Sequence, residues 1–276
     1  FHVADGGTVS GAVSLSAIYG FGPNDIYAVG ERIYDNPAPP PNFLDSSLII
    51  HFHGAQWIEV PIPRARNLLA IFGVSSNDIW AGGVEGTLYH YLGVSWSRHT
   101  PPRSYTRGSY QFLSFSGIRS DEIYAVSIWN NVAHIGEIDS TYYFLNKFQG
   151  NTWMVADSFL ITAGQVFFPW GTQLWSSPEG NLYSAGPNVY RLTENQWIEV
   201  LDTGKWMTRV LGTNERNIFA VGHFSTVYHW NGSDWFQFSQ LKLDDVHYSS
   251  GWTDGNEVFI IGFVNGGFKT VIAHGK

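Results

Sequence analysis

The sequence predicts an all-β fold, a six-bladed β-propeller built from four-stranded antiparallel blades. Three observations lead there. A phrase of the form Gly-x-x-x-Asn-Asp-Ile-Trp-Ala-Gly-Gly, clearest at Gly73 to Gly83, occurs in six degenerate copies. A turn and then a tryptophan follow five of them, at Trp57, Trp96, Trp153, Trp197 and Trp235. The copies, counted between Asp25, Asp78, Glu122, Asn181, Asn217 and Glu257, stand 36 to 59 residues apart. Short strands repeating at that period are the mark of propeller blades.

The second copy shows the elements in order. Leu68 to Phe72 is a short apolar strand and Gly73 to Asn77 a turn. Asp78 to Gly82 is a second strand, and the stretch Ile79 to Gly83 reads as apolar, as expected of a strand covered on both faces. Thr87 to Tyr91 alternates like a half-buried third strand, and Trp96 opens a fourth after the turn Leu92 to Ser95. The turns HGAQ, LGVS, QGNT, TENQ and NGSD that precede the five tryptophans put Gly or Asn at a hairpin tip. One domain over residues 1–276 follows, with blades near 14–60, 68–98, 112–155, 172–200, 208–239 and 247–276. The last blade lacks a tryptophan strand of its own, so residues 1–4 are expected to close it, with Phe1 in the tryptophan's place.

SSNDIWAGG at Ser75 to Gly83 and YHWNGSDW at Tyr228 to Trp235 resemble the propeller repeats of exported bacterial proteins. Those repeats carry a Ser-x-Asn-Asp-Ile-Trp-Ala-Val-Gly core and a His-Trp-Asn-Gly-x-x-Trp tail, and the resemblance covers nearly the whole chain. It implies the fold and a periplasmic or cell-surface setting, among proteins that range from surface lipoproteins to assembly factors. The turn and tryptophan are also similar to the Asp-box of sialidase-type propellers, but no copy reproduces that box in full.

Composition removes several classes of function. A formal charge of −8 without a Lys/Arg cluster argues against nucleic acid. The absence of cysteine removes disulfides, thiolate zinc sites and a cysteine nucleophile. No apolar run approaches the roughly 20 residues that span a bilayer. The chain starts at Phe1, within a strand-like stretch, which suggests that a signal peptide, lipid-attachment segment or further domain was removed. Membrane association through that segment is one expectation.

The repeat accounts for most residues that invite a catalytic reading. His51, His90 and His229 occupy one third-strand slot in different blades, where Lys147 and Arg191 stand in other copies. The slot asks for a polar residue and not for a metal ion, whose ligand bonds are about 2 Å long. Asp25, Asp78, Asp121, Glu122 and Glu257 fall in the repeat turn and are expected to bond nearby backbone N–H groups. No nucleophile elbow, zinc helix, Walker loop or dinucleotide fingerprint occurs. No metal or other cofactor is assigned; calcium held in the channel by carbonyls and waters would leave no motif.

What the repeat does not explain is a set of long insertions, all expected on one face of the propeller. They run Glu31 to Ser47, Ser97 to Gln111, Ile128 to Tyr143 and Ala156 to Gly171, with shorter ones at Leu201 to Thr208 and Gln240 to His247. Aromatic and arginine residues gather there, as they do at interface hot spots. Tyr105, Arg107, Trp129, Tyr142, Trp170, Trp206 and the channel-mouth His223 are the candidate binding residues. The expected function is a noncatalytic binding module or scaffold of an exported assembly, holding a protein partner or a glycan. The alternative is a carbohydrate-active hydrolase or lyase with facing acids at the channel mouth.

Overall fold

A computed structural model describes residues 12–35, 43–103, 109–134, 137–162, 168–266 and 269–276. Among them there is no α-helix, and all regular structure is antiparallel sheet apart from one 3-10 turn at Ser239–Leu241. The chain divides into two compact units, residues 1–115 with 119–163, and residues 116–118 with 164–276. Six sheets are present, each with its strands in chain order. By blade count this is the six-bladed propeller that the repeat predicts.

Sheet one holds β1 (Ala12–Gly22), β2 (Asp25–Asp35), β3 (Phe43–Phe52) and β4 (Trp57–Glu59). Sheet two holds β5 (Leu68–Ser75), β6 (Asp78–Gly83), β7 (Leu88–Tyr91) and β8 (Trp96–Arg98). Sheet three holds β9 (Ser109–Arg119), β10 (Glu122–His134), β11 (Glu137–Gln149) and β12 (Thr152–Thr162). Every residue of β6 is buried, Asp78 and Trp80 among them, and the strand ends in the small residues Ala81, Gly82 and Gly83. The glycine that ends this strand is required by contact with backbone. A Cβ at Gly83 would lie 1.9 Å from the carbonyl oxygen of Asn67, and one at Gly30 would meet Ser14 in the same way.

Two clusters fill the first unit. Tyr27, Val29, Ile49, Leu68, Ile79, Tyr89 and Trp96 pack sheets one and two together. Trp80, Leu88, Phe112, Phe115, Ile123, Phe148 and Trp153 do the same for sheets two and three. In the second unit sheet four is β13 (Gln173–Ser176), β14 (Leu182–Ala185), β15 (Val189–Thr193) and β16 (Gln196–Leu201). Sheet five is β17 (Met207–Asn214), β18 (Asn217–Gly222), β19 (Thr226–Trp230) and β20 (Trp235–Gln237). Sheet six is β21 (Val246–Thr253), β22 (Val258–Val264) and β23 (Thr270–Gly275). The expected closing strand, residues 1–4, lies outside the described residues, as does the proline run at 37–41.

Two expectations are corrected. Much of what was assigned to insertion loops is sheet: β10 and β11 pair from Ile123↔Phe148 to His134↔Glu137, with register shifts near Val132, and β2 and β3 pair as far as Asp35↔Phe43. A long hairpin satisfies its backbone donors and acceptors across the ladder, which a loop of that length could do only through water. The repeat acids also bond differently from the expectation. Asp25 Oδ1 lies 2.7 Å from His51 Nε2, Asp78 Oδ1 2.7 Å from His90 Nε2, and Glu122 Oε1 2.7 Å from Lys147 Nζ. The acid that opens the second strand therefore answers the polar residue of the third strand, across the sheet and not within the turn.

Candidate binding site

The histidines of the repeat are structural, and their surroundings show why. His90 is buried, its ring stacked on Trp80 with centroids 3.8 Å apart. A carboxylate can only accept, so the Nε2–H of His90 donates to Asp78. Burial pushes the His90 pKa down, against the pull of Asp78, and the ring is held neutral. The same stack recurs as Tyr27 on His51 at 4.0 Å, Phe219 on His229 at 4.4 Å and Phe259 on His274 at 4.2 Å. In sheet three Lys147 takes the place of histidine and lies over the Tyr124 ring at 5.2 Å. Among the described residues no three His, Cys, Asp or Glu side chains lie together as metal ligands.

The candidate binding residues separate by environment. Trp129 and Tyr142 face each other across the β10–β11 ladder, their rings 5.4 Å apart and both half-buried. Tyr142 stacks on Phe144 at 6.0 Å, and the guanidinium of Arg103 sits 5.3 Å from the other aromatic partner, the Phe144 ring. This pair belongs to a strand face anchored on the core of sheets two and three. Trp170 is 0% exposed and stacks on Trp197 at 5.9 Å, so it offers no surface to a ligand and is corrected to a packing residue. Tyr105 and Arg107 lie outside the described residues.

In the second unit Trp206 meets Phe168 edge to face at 5.2 Å, and its carbonyl accepts the N–H of His223 at 2.9 Å. His223 is half-buried and edge-on to His247, with centroids 4.8 Å apart. Desolvation first, and then the neighbouring His247, lowers its pKa. Phe224 lies 5.2 Å from His247, which in turn stacks on Phe263 at 5.7 Å. Phe224 and Phe263 are 61% and 48% exposed.

Phe224, His247 and Phe263 were not among the candidates from sequence. A signal was present. The two-residue turn between β18 and β19 is Phe224-Ser225, with φ of 56° and 57°, where sheet two uses Glu85-Gly86 at 54° and 67°. Such turns favour Asn, Asp and Gly, because both central residues need a left-handed backbone. A phenylalanine there is costly by about 1–3 kcal/mol and gains little burial in return, at 61% exposed. Ser225 helps hold the turn, its Oγ donating to the Leu243 carbonyl at 2.6 Å.

No protein-family model matches the chain, and no curated protein matches it in sequence. Solved structures do match in shape. The chain is similar to YCF48 from Cyanidioschyzon merolae, at 11% identity and a TM-score of 0.53, over 91% of this chain and 92% of that one. It is similar to the C-terminal WD40 domain of Sif2, at 11% identity and a TM-score of 0.50, over 92% and 81% of the two chains. The fold is a β-propeller. A Mycobacterium tuberculosis puromycin-hydrolyzing peptidase is similar at 10% identity and a TM-score of 0.57, over 91% of this chain and 43% of the peptidase. At these identities the likeness concerns the fold alone, and the propeller is a scaffold that many functions share.

Proposed function

We propose that this propeller is a noncatalytic binding scaffold that holds a protein partner, in an exported or cell-surface assembly. The observation that carries the reading is Phe224: a large apolar side chain, 61% exposed, kept at φ 56° on a tight turn beside His223, His247 and Phe263. Folding gains little from it, whereas a partner that buried the ring would gain about 1.5–3 kcal/mol. Backbone strain at an aromatic that its contacts with His223 and His247 leave 61% exposed supports the binding reading. The setting outside the cytoplasm rests on the resemblance of SSNDIWAGG and YHWNGSDW to exported propeller repeats. Among the described residues no helix is long and apolar enough to cross a membrane.

A photo-crosslinking phenylalanine analogue at position 224, expressed in the native host, tests this. One partner is expected to crosslink from 224 and not from position 94, an exposed valine of the first unit. Phe224→Ala is expected to weaken retention of that partner at least tenfold. Equal crosslinking from both positions, or full retention by the variant, sinks the reading.

A further inference from the structure

Three pairs of histidines lie close together among the described residues, and the fold uses two of them. His51 is edge-on to His53 with centroids 6.4 Å apart, and its Nε2 is bonded to Asp25. His90 is edge-on to His99 at 5.4 Å, but it is buried and its Nε2–H is given to Asp78. The third pair, His223 and His247, is the tightest, at 4.8 Å with ring planes 79° apart. Among the described residues neither of these rings has a hydrogen bond or an ion pair. His229 and His274, in the same two sheets, answer Asn217 and Glu257 instead. Polar groups that are half-buried normally find a partner, so two adjacent imidazoles without one are capacity that folding does not use.

Main chain alone sets the two rings side by side. His223 follows β18, its N–H donating to the Trp206 carbonyl at 2.9 Å and its carbonyl accepting from the Thr226 N–H at 3.3 Å. His247 is the second residue of β21 and pairs with Phe263 of β22. The turn after β18 is bonded directly to β21, because the Ser225 N–H donates to the carbonyl of Val246 at 2.8 Å. Imidazole is the commonest metal ligand among side chains, and it suits zinc and copper(II). With Zn–N bonds of about 2.0–2.1 Å, two imidazoles on one tetrahedral ion have ring centres about 5 Å apart. The 4.8 Å of His223 and His247 matches that spacing, and no hydrogen bond has to break for either ring to turn toward an ion. No third His, Cys, Asp or Glu joins them among the described residues, so two positions of a tetrahedral ion are left for water or for a ligand from outside the chain.

We infer that His223 and His247 together bind a divalent transition metal of the zinc and copper(II) class through two neutral imidazoles. The inference does not depend on the protein-partner reading, although the pair lies beside Phe224. Substoichiometric copper(II) added to the full chain near neutral pH, where imidazole is a free ligand, tests it by electron paramagnetic resonance. Two coordinated imidazole nitrogens are expected. Ascorbate added to the same sample oxidises the histidines that hold the ion, and mass spectrometry is expected to place the added oxygen on His223 and His247. Zinc titrated by calorimetry is expected to bind the parent saturably, and His223→Gln and His247→Gln at least tenfold more weakly. His53→Gln is expected to change none of this. Phe224→Ala is expected to keep the metal while losing the protein partner, so the two proposals fail separately. Fewer than two nitrogens, or oxidation at other histidines in place of His223 and His247, overturns the inference, and both results come from the parent chain whether or not the variants fold. Zinc binding that is unchanged in both histidine variants overturns it as well, since the ion is then held elsewhere.

Discussion

The stack of sheet two and the stack of sheet five are made by the same repeat and end in opposite circumstances. Trp80 is 0% exposed, with His90 against one face and Trp153, Phe148 and His99 around it at 4.7–5.1 Å. Phe219, 7% exposed, has His229 against one face and Phe238 at 6.4 Å, and among the described residues it lines a cleft of about 410 Å³. The difference teaches that the repeat specifies a half-finished contact. How many rings complete it depends on the next strand along.

Three measurements break or sharpen this comparison. The largest effect belongs to Trp80→Ala, expected to lower unfolding stability by about 3–5 kcal/mol in a denaturant titration, because every neighbour loses contact atoms. Phe219→Ala is expected to cost clearly less, about 1–3 kcal/mol, since among the described residues fewer rings surround it. Equal losses would show that the cleft is filled in solution.

The next effect is on pH dependence. Burial lowers the pKa of His90, His99 and His229 from the ordinary 6.5, and desolvation with His247 lowers that of His223. An imidazole with a depressed native pKa binds protons more readily when unfolded. Stability is therefore expected to be full above about pH 6.5 and to fall as the pH drops through the lower native values. Thermal melts between pH 8 and pH 5, taken for the parent and for His90→Phe, would show this, with a flatter fall in the variant. A stability that rises on acidification would contradict the neutral stacks.

The smallest effect is expected from Glu257→Gln. Its carboxylate is 35% exposed and reaches Lys276 at 3.1 Å and His274 at 3.6 Å, so the pair is screened by water and contributes less than about 1 kcal/mol. A larger loss by denaturant titration would mean that this rim is buried.

Much of the fold was legible because the repeat writes its constraints locally. The glycine that ends the repeat phrase in most copies, the buried Ala81 and Ala125, and the turns before each tryptophan are short-range signals tied to backbone geometry. The extended hairpin of β10 and β11 was not, although Tyr142, Phe144 and Phe148 fall at alternate positions of one strand face. Repeat length drew the strand ends there, and pairing carries them further. The binding residues were legible only in part. Trp129, Tyr142, Trp206 and His223 keep some exposure, but aromatic content alone could not tell them from Trp170, which is wholly buried. Phe224 carried a signal in its turn chemistry, visible once the turn is aligned with Glu85-Gly86.

By itself the sequence determined the blade: strand order, apolar inner strand, turn residues, and the polar slot of the third strand. These depend on neighbours within about 30 residues and on two-residue side-chain alternation, which sequence displays directly. Tertiary structure alone decided which partner each polar and aromatic group found. Asp78 answers His90 and not its own turn, Trp170 is interior, and Phe219 and His229 line a cleft among the described residues. Burial and vacancy are properties of what packs from the neighbouring sheet, and no run of residues within one blade encodes them.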